Sequence, residues 1–170
     1  MIQLESFIQN IINTPYVWWR EGDEIGLDAP FWAENTEIPS IELIKQNGCN
    51  CAGFINLISR YIKLEIPGVL QNDEWAGGSW YWFQFLKNTG QLEEYNPEIT
   101  YPERTLILRN YSSPEDQGHL GIILSGNRIA HCYPKKGIQI DTSIQISHNW
   151  ISEGYYTHIS KFLINNNISN

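Results

Sequence analysis

The sequence predicts an α+β fold, with N-terminal helices packed on a C-terminal antiparallel β-sheet. Apolar residues recur at helical spacing in the first half of the chain, at 2–12, 51–63 and 79–88. From residue 104 the pattern changes to short β-rich runs punctuated by Gly, Asn and Pro. Helices first and strands second is the order of an α+β domain, not of alternating βαβ units. A chain of 170 residues, 42% hydrophobic and 18% charged, has the size and composition of one domain with a substantial core.

Taken in order, Ile2, Leu4, Phe7, Ile8, Ile11 and Ile12 place an amphipathic helix at residues 2–12. Thr14-Pro15 ends it, because the ring of a proline disfavours helical backbone in the residue before it. Gly22, Gly26, Pro30 and scattered acids make residues 20–38 a long loop. Pro39 to Asn47 reads as a short helix, with Pro39 at its start and Gly48 just past its end. Residues 51–63 give the clearest helix, with Phe54, Ile55, Ile58, Tyr61 and Ile62 on one stripe and Pro67-Gly68 beyond its end. An aromatic-rich helix follows at 79–88. The expected strands are Thr105–Arg109, Leu120–Ser125, Arg128–Tyr133, Gly137–Asp141 and Tyr155–Phe162.

Charge narrows the partners. A formal net charge of −8, with Lys135-Lys136 as the one basic pair, argues against a nucleic-acid surface, which needs clustered Lys and Arg. No run approaches the ~18 consecutive apolar residues of a membrane-spanning helix. Residues 1–13 carry Glu5 and no Lys or Arg, and Gln and Asn interrupt their apolar positions. They do not read as a secretory signal, which leads us to expect a cytosolic protein or one released without a cleaved leader. Three cysteines cannot all pair with one another, and a cytosolic chain keeps them reduced. Of seven Trp, nine Tyr and six Phe, many sit in two clusters, Tyr16-Val17-Trp18-Trp19 and Trp75 to Phe85, as core or as the wall of a cleft.

The chemistry centres on Asn47-Gly48-Cys49-Asn50-Cys51-Ala52-Gly53-Phe54. A loop of Gly and Asn leads into a helix and sets Cys51 at its first turn, where unpaired N–H groups and the helix dipole favour an anion. On this basis the thiol of Cys51 should be acidified and most reactive near pH ~6–7. Small Ala52 and Gly53 leave room for a carbonyl, and the same N–H groups suit an oxyanion.

A nucleophile of this kind needs a base. Of four histidines, His148 and His158 show no apparent partner, whereas His119 opens one strand and His131 lies on its return. A two-residue turn at Gly126-Asn127 would put the last two on opposite faces. A three-residue turn over Ser125–Asn127 would pair Gly121 with His131 and make the imidazoles diagonal neighbours. His119 then deprotonates Cys51, and His131 orients His119.

These pieces resemble the NlpC (p-sixty) family of papain-like cysteine peptidases, whose best-known members cut peptidoglycan stem peptides. Thr14-Pro15-Tyr16-Val17-Trp18, Asn50-Cys51-Ala52-Gly53-Phe54, His119-Leu120-Gly121-Ile122-Ile123 and His131 follow the family's order across residues 12–133. The resemblance implies an NlpC-type fold with Cys51 as nucleophile, His119 as general base and His131 as orienting residue. It also implies an amide-containing substrate, such as a peptide, and no cofactor. Tyr16 would lie beside the nucleophile to position substrate or oxyanion, with Ala52 and Trp18 lining the same place. The departures are Asn50 for the usual acid, Ala52 for Ser, Trp19 for Gly, and an insertion at residues 20–48.

Other readings stand beside this one. A cysteine acyltransferase or lipid-directed thiol hydrolase would use Trp18, Trp19 and the 75–85 cluster for an acyl chain. A zinc site would draw on Cys49, Cys51, Cys132 and His119 or His131. A binding module would keep the aromatic cleft without catalysis.

Overall fold

The computed structural model describes residues 2–17, 38–63, 79–110, 118–142 and 156–165. The 20–37 part of the expected loop, Trp18, Trp19, Trp75 and His148 lie outside them. The elements are α1 (Ile2–Asn10), α2 (Ile41–Asn47), α3 (Cys51–Tyr61), α4 (Ser79–Asn88), β1 (Glu93–Glu94), β2 (Leu106–Arg109), β3 (His119–Leu124), β4 (Arg128–Tyr133), β5 (Gly137–Asp141), β6 (His158–Ser160) and α5 (Phe162–Asn165). The strands form one six-stranded sheet in the order β1-β6-β2-β3-β4-β5, with every neighbouring pair antiparallel. The fold is therefore α+β, helices first and an antiparallel sheet second. No helix among the described residues is long and apolar enough to cross a membrane.

Local chemistry sets the helix ends. α1 stops at Asn10, ahead of the expected residue 12, and Asn13 takes a left-handed φ of 65° that asparagine tolerates. The Ile11 carbonyl, past the end of the helix, accepts both the Thr14 hydroxyl at 2.7 Å and the Thr14 N–H at 3.2 Å. α2 begins at Ile41, not at Pro39. Ser40 is its N-cap and accepts the Leu43 N–H at 3.2 Å, so Pro39 precedes the cap. α3 is capped by Asn50, whose side-chain oxygen accepts the Gly53 N–H at 2.8 Å. The last expected strand is cut short at Ser160, whose hydroxyl accepts the Phe162 N–H that opens α5.

The sheet is apolar on both faces. Leu106, Leu108, Leu120, Ile122, Leu124, Ala130, Cys132 and Ile138 meet the helices, with Ile8, Ile44, Phe54, Ile58 and Trp82 in the same core. Ile107, Ile123, Ile129, Ile159, Tyr101 and Tyr156 form a second cluster on the other face. α3 is the central helix. Where its sequence shows one apolar stripe, every residue from Cys51 to Ser59 is buried. Sheet and neighbouring helices enclose it, so burial is set by what surrounds the helix and not by its own periodicity. Burying side chains the size of Phe54, Ile55, Leu57 and Ile58 contributes about 1.5–3 kcal/mol each. Phe7 of α1 stacks on Tyr61 with ring centroids 4.3 Å apart, and Arg128 of β4 holds Glu5 through two bonds of 2.8 and 3.0 Å.

Candidate active site

Residues 13–17 bring the chain's start to the site. The Asn13 N–H donates to the Ile138 carbonyl at 2.9 Å, and the Ile138 N–H donates to the Thr14 carbonyl at 3.0 Å. Two residues on, Tyr16 forms a parallel bridge with Cys49, through Cys49 N–H to Pro15 O at 3.0 Å and Val17 N–H to Cys49 O at 3.1 Å. The Thr14-Pro15-Tyr16-Val17 segment thus ties β5 to the loop that carries the thiol. Gly137 permits this approach: its φ is 71°, and a Cβ there would stand 1.9 Å from the Thr14 carbonyl oxygen. Cys49 and Cys132 are fully buried, their sulfurs 3.8 Å apart, and the Cys132 thiol donates to the Cys49 carbonyl at 3.0 Å. This pair joins the same loop to β4.

Cys51 opens α3 with 8% of its surface exposed. The Asn50 side chain caps one of the four orphan amides at this helix end, Gly53 N–H, and its carbonyl accepts the first regular helical bond, from Phe54 N–H at 2.9 Å. The N–H groups of Cys51 and Ala52 bear on the sulfur instead, as does the N–H of Leu120. The Leu120 contact follows from the sheet. β3 and β4 pair from Leu124↔Arg128 to Gly121↔His131 and no further. Leu120 N–H, one residue beyond the last pair, therefore meets the sulfur. The sulfur of Cys51 thus lies against the peptide bond that joins His119 to Leu120. Asn50 caps the helix without the charge an aspartate would bring, and a carboxylate beside the sulfur would oppose thiolate formation.

The histidine register is that of the three-residue turn. Ser125–Asn127 forms a single 3-10 turn with Gly126 at a φ of 70°, and Gly121 faces His131. His119 Nε2 and His131 Nδ1 lie 3.2 Å apart on the sheet face away from the helices. Both residues are buried, at 3% and 0% exposure. Three further residues surround His131, and the reading of motifs did not reach them. The Tyr156 hydroxyl is 2.8 Å from His131 Nδ1; Asp141 Oδ2 and Gln139 Nε2 are 3.2 and 3.0 Å from its Nε2. Gln139 also donates to Asp141 at 2.9 Å. Gly121 leaves the space for the Tyr156 hydroxyl, which would stand 2.9 Å from a Cβ at that position. His158, which looked partnerless, meets the Thr157 hydroxyl at 2.7 Å and the ring of Phe83 edge-on.

Electrostatics correct one expectation. The thiol of Cys51 is not acidified. Burial pushes it up to about 11 against the pull of the three N–H donors. Burial, then the charges of His131 and Arg109, holds His119 well below the usual imidazole range. At neutral pH the Cys51 thiol and the His119 imidazole are both uncharged, so the helix end lowers the cost of forming a thiolate without storing one.

Stability should follow. The unfolded chain protonates this histidine below pH 6.5 while the folded chain resists. The His119 contribution is complete above that value and is lost as pH falls through it, by up to ~1.4 kcal/mol per pH unit. The urea midpoint is expected to drop between pH 7 and 5, and His119→Gln to flatten that slope. Equal slopes in the two proteins would refute the assignment.

Among the described residues, no group of three or more His, Cys, Asp or Glu is arranged to hold a metal ion, which removes the geometric basis of the zinc reading.

No family model matches the sequence. No curated protein matches it either. Among solved structures, the chain is similar to the crystal structure of the NlpC/p60 domain of peptidoglycan hydrolase SagA. The two are 14% identical over 92% of this chain and 94% of that one, with a TM-score of 0.44.

Proposed function

We propose that this chain is a cysteine hydrolase of the NlpC (p-sixty) type that opens an amide bond through a thioester on Cys51, with a peptidoglycan stem peptide as the candidate substrate. One observation carries the reading. The sulfur of Cys51 lies at the start of α3 against the peptide bond following His119, whose Nε2 is engaged by His131.

The steps follow from that placement. His119 Nδ1 takes the proton of the Cys51 thiol as sulfur attacks the substrate carbonyl, and a tetrahedral oxyanion forms. The N–H groups of Cys51 and Ala52, not consumed by the cap, are the donors for it, with the Tyr16 hydroxyl as a further candidate. His119 returns the proton to the leaving amine as the carbon–nitrogen bond breaks and the thioester forms. Water, deprotonated by His119, then releases the acid and restores the thiol. Trp18 would line the substrate side of Tyr16.

The reading is tested by whole-protein mass spectrometry after treatment with iodoacetamide and, separately, with a peptide thioester. One adduct on Cys51 that His119→Ala suppresses is the expected result. Equal modification of Cys49, Cys51 and Cys132 would defeat it.

A further inference from the structure

Every polar neighbour of the His131 ring bears on where its proton sits. A neutral imidazole has one N–H and one lone pair, so each nitrogen is either a donor or an acceptor. Two groups meet Nε2: the amide nitrogen of Gln139 at 3.0 Å, which can only donate and whose N–H is taken by the Asp141 carboxylate, and that carboxylate itself at 3.2 Å, which can only accept. The His131 proton is therefore on Nε2. Gln139 aims the carboxylate by donating to the same Oδ2 at 2.9 Å, and sits directly across the ladder from His131. With Nε2 protonated, Nδ1 carries the lone pair, so both groups that meet it must donate. They are the Tyr156 hydroxyl at 2.8 Å and His119 Nε2 at 3.2 Å. That puts the His119 proton on Nε2 and its lone pair on Nδ1.

We propose that Asp141, aimed by Gln139, is a positioning residue that sets the tautomers of His131 and His119 in series, so that His119 presents a basic Nδ1 to Cys51. The inference rests on the hydrolase reading for its consequence, but its geometry is independent of it. Asp141 touches neither sulfur nor substrate; it acts through two imidazoles. Both imidazoles are buried, so bulk solvent does not set their tautomers, and the carboxylate of Asp141 is a charged acceptor that meets the ring of His131 directly.

Asp141→Asn keeps the shape and offers an NH₂ to His131 Nε2. The order then reverses: His131 donates from Nδ1, His119 accepts at Nε2, and the His119 proton moves to Nδ1, where no base is left for the thiol. Imidazole ¹⁵N NMR of the full chain reads this directly. In the wild-type protein both histidines should be protonated on Nε2; in Asp141→Asn both should shift to Nδ1, with the backbone amide spectrum of the sheet retained. The acylation rate of Cys51 by a peptide thioester should fall about 10²–10⁴-fold, in kcat and not in KM, as it does when the orienting aspartate of a serine-protease triad is replaced by asparagine. Should Asp141→Asn fail to fold, Gln139→Ala, which only loosens the carboxylate, should give mixed tautomers and a smaller fall. Wild-type tautomers in either folded variant, or an unchanged acylation rate in a flipped one, would overturn the proposal. The two readings separate cleanly. Flipped tautomers in a protein whose Cys51 never acylates would sink the hydrolase and keep the proton order. An acylating Cys51 indifferent to Asp141→Asn would do the reverse.

Discussion

Cys51→Ala should lower amide hydrolysis by roughly 10⁴-fold or more, and His119→Ala should do nearly as much. The thiol supplies the covalent bond and the imidazole the proton that must leave it, so neither has a substitute in the site. Groups that act as one unit are strongly non-additive, and the double variant should be no slower than the slower single one. The fold should survive. Removing one sulfur atom at a position that still touches solvent costs about 1 kcal/mol, well inside the reserve of a domain this size. Cys132→Ala is the informative contrast. It removes a fully buried thiol that donates to the Cys49 carbonyl, and should weaken the fold more than it slows the reaction. Steady-state kinetics beside urea unfolding distinguishes the two. Hydrolysis surviving in Cys51→Ala would remove the nucleophile assignment.

The largest effect on stability is expected at Gly137, which touches neither thiol nor imidazole in the proposed reaction. Alanine there would hold a left-handed φ of 71° and place its Cβ 1.9 Å from the Thr14 carbonyl oxygen, so residues 13 and 14 must move away. The strained backbone costs about 1–2 kcal/mol. Losing the two hydrogen bonds with Ile138 costs ~1 kcal/mol each. A total near 3–4 kcal/mol follows, and the unfolding midpoint should drop accordingly. Activity should fall with it, because the displaced segment also carries Tyr16, which bridges the loop ahead of Cys51. Gly126→Ala is the control. Its φ is 70° but nothing lies within 4 Å of the added atom, so it should cost only the conformational part. Equal losses at the two glycines would show that the contact with Thr14 is not what matters.

Much of this arrangement is legible in the residues. The Ser125-Gly126-Asn127 turn sets the register that pairs Gly121 with His131, and the helix at 79–88 and strands at 128–133 and 137–141 fall where their patterns place them. Asp141 was also within reach. A three-residue turn at Pro134–Lys136 pairs His131 with Gln139, and alternation puts Asp141 on the same face. Tyr156 was not, because it arrives from the far end of the chain and no local pattern links it to β4. The complete burial of α3 and the raised thiol were hidden for a common reason. Both depend on how much protein surrounds a group, and a helix's own sequence reports only the face with the strongest signal. Short-range electrostatics favoured a thiolate at Cys51, and desolvation outweighed it.

The β4–β5 hairpin carries His131, Gln139 and Asp141 within a few residues of one another, so the connection at 134–136 bears a constraint that its exposed position does not suggest. Drift in residue identity there is harmless, whereas drift in length is not. One residue more or fewer would rotate Gln139 and Asp141 to the helix side of the sheet, moving a carboxylate among Ala130, Cys132 and Ile138 and taking it from the imidazole. Along an evolving lineage this short connection should hold its length while longer stretches of the chain grow and shrink.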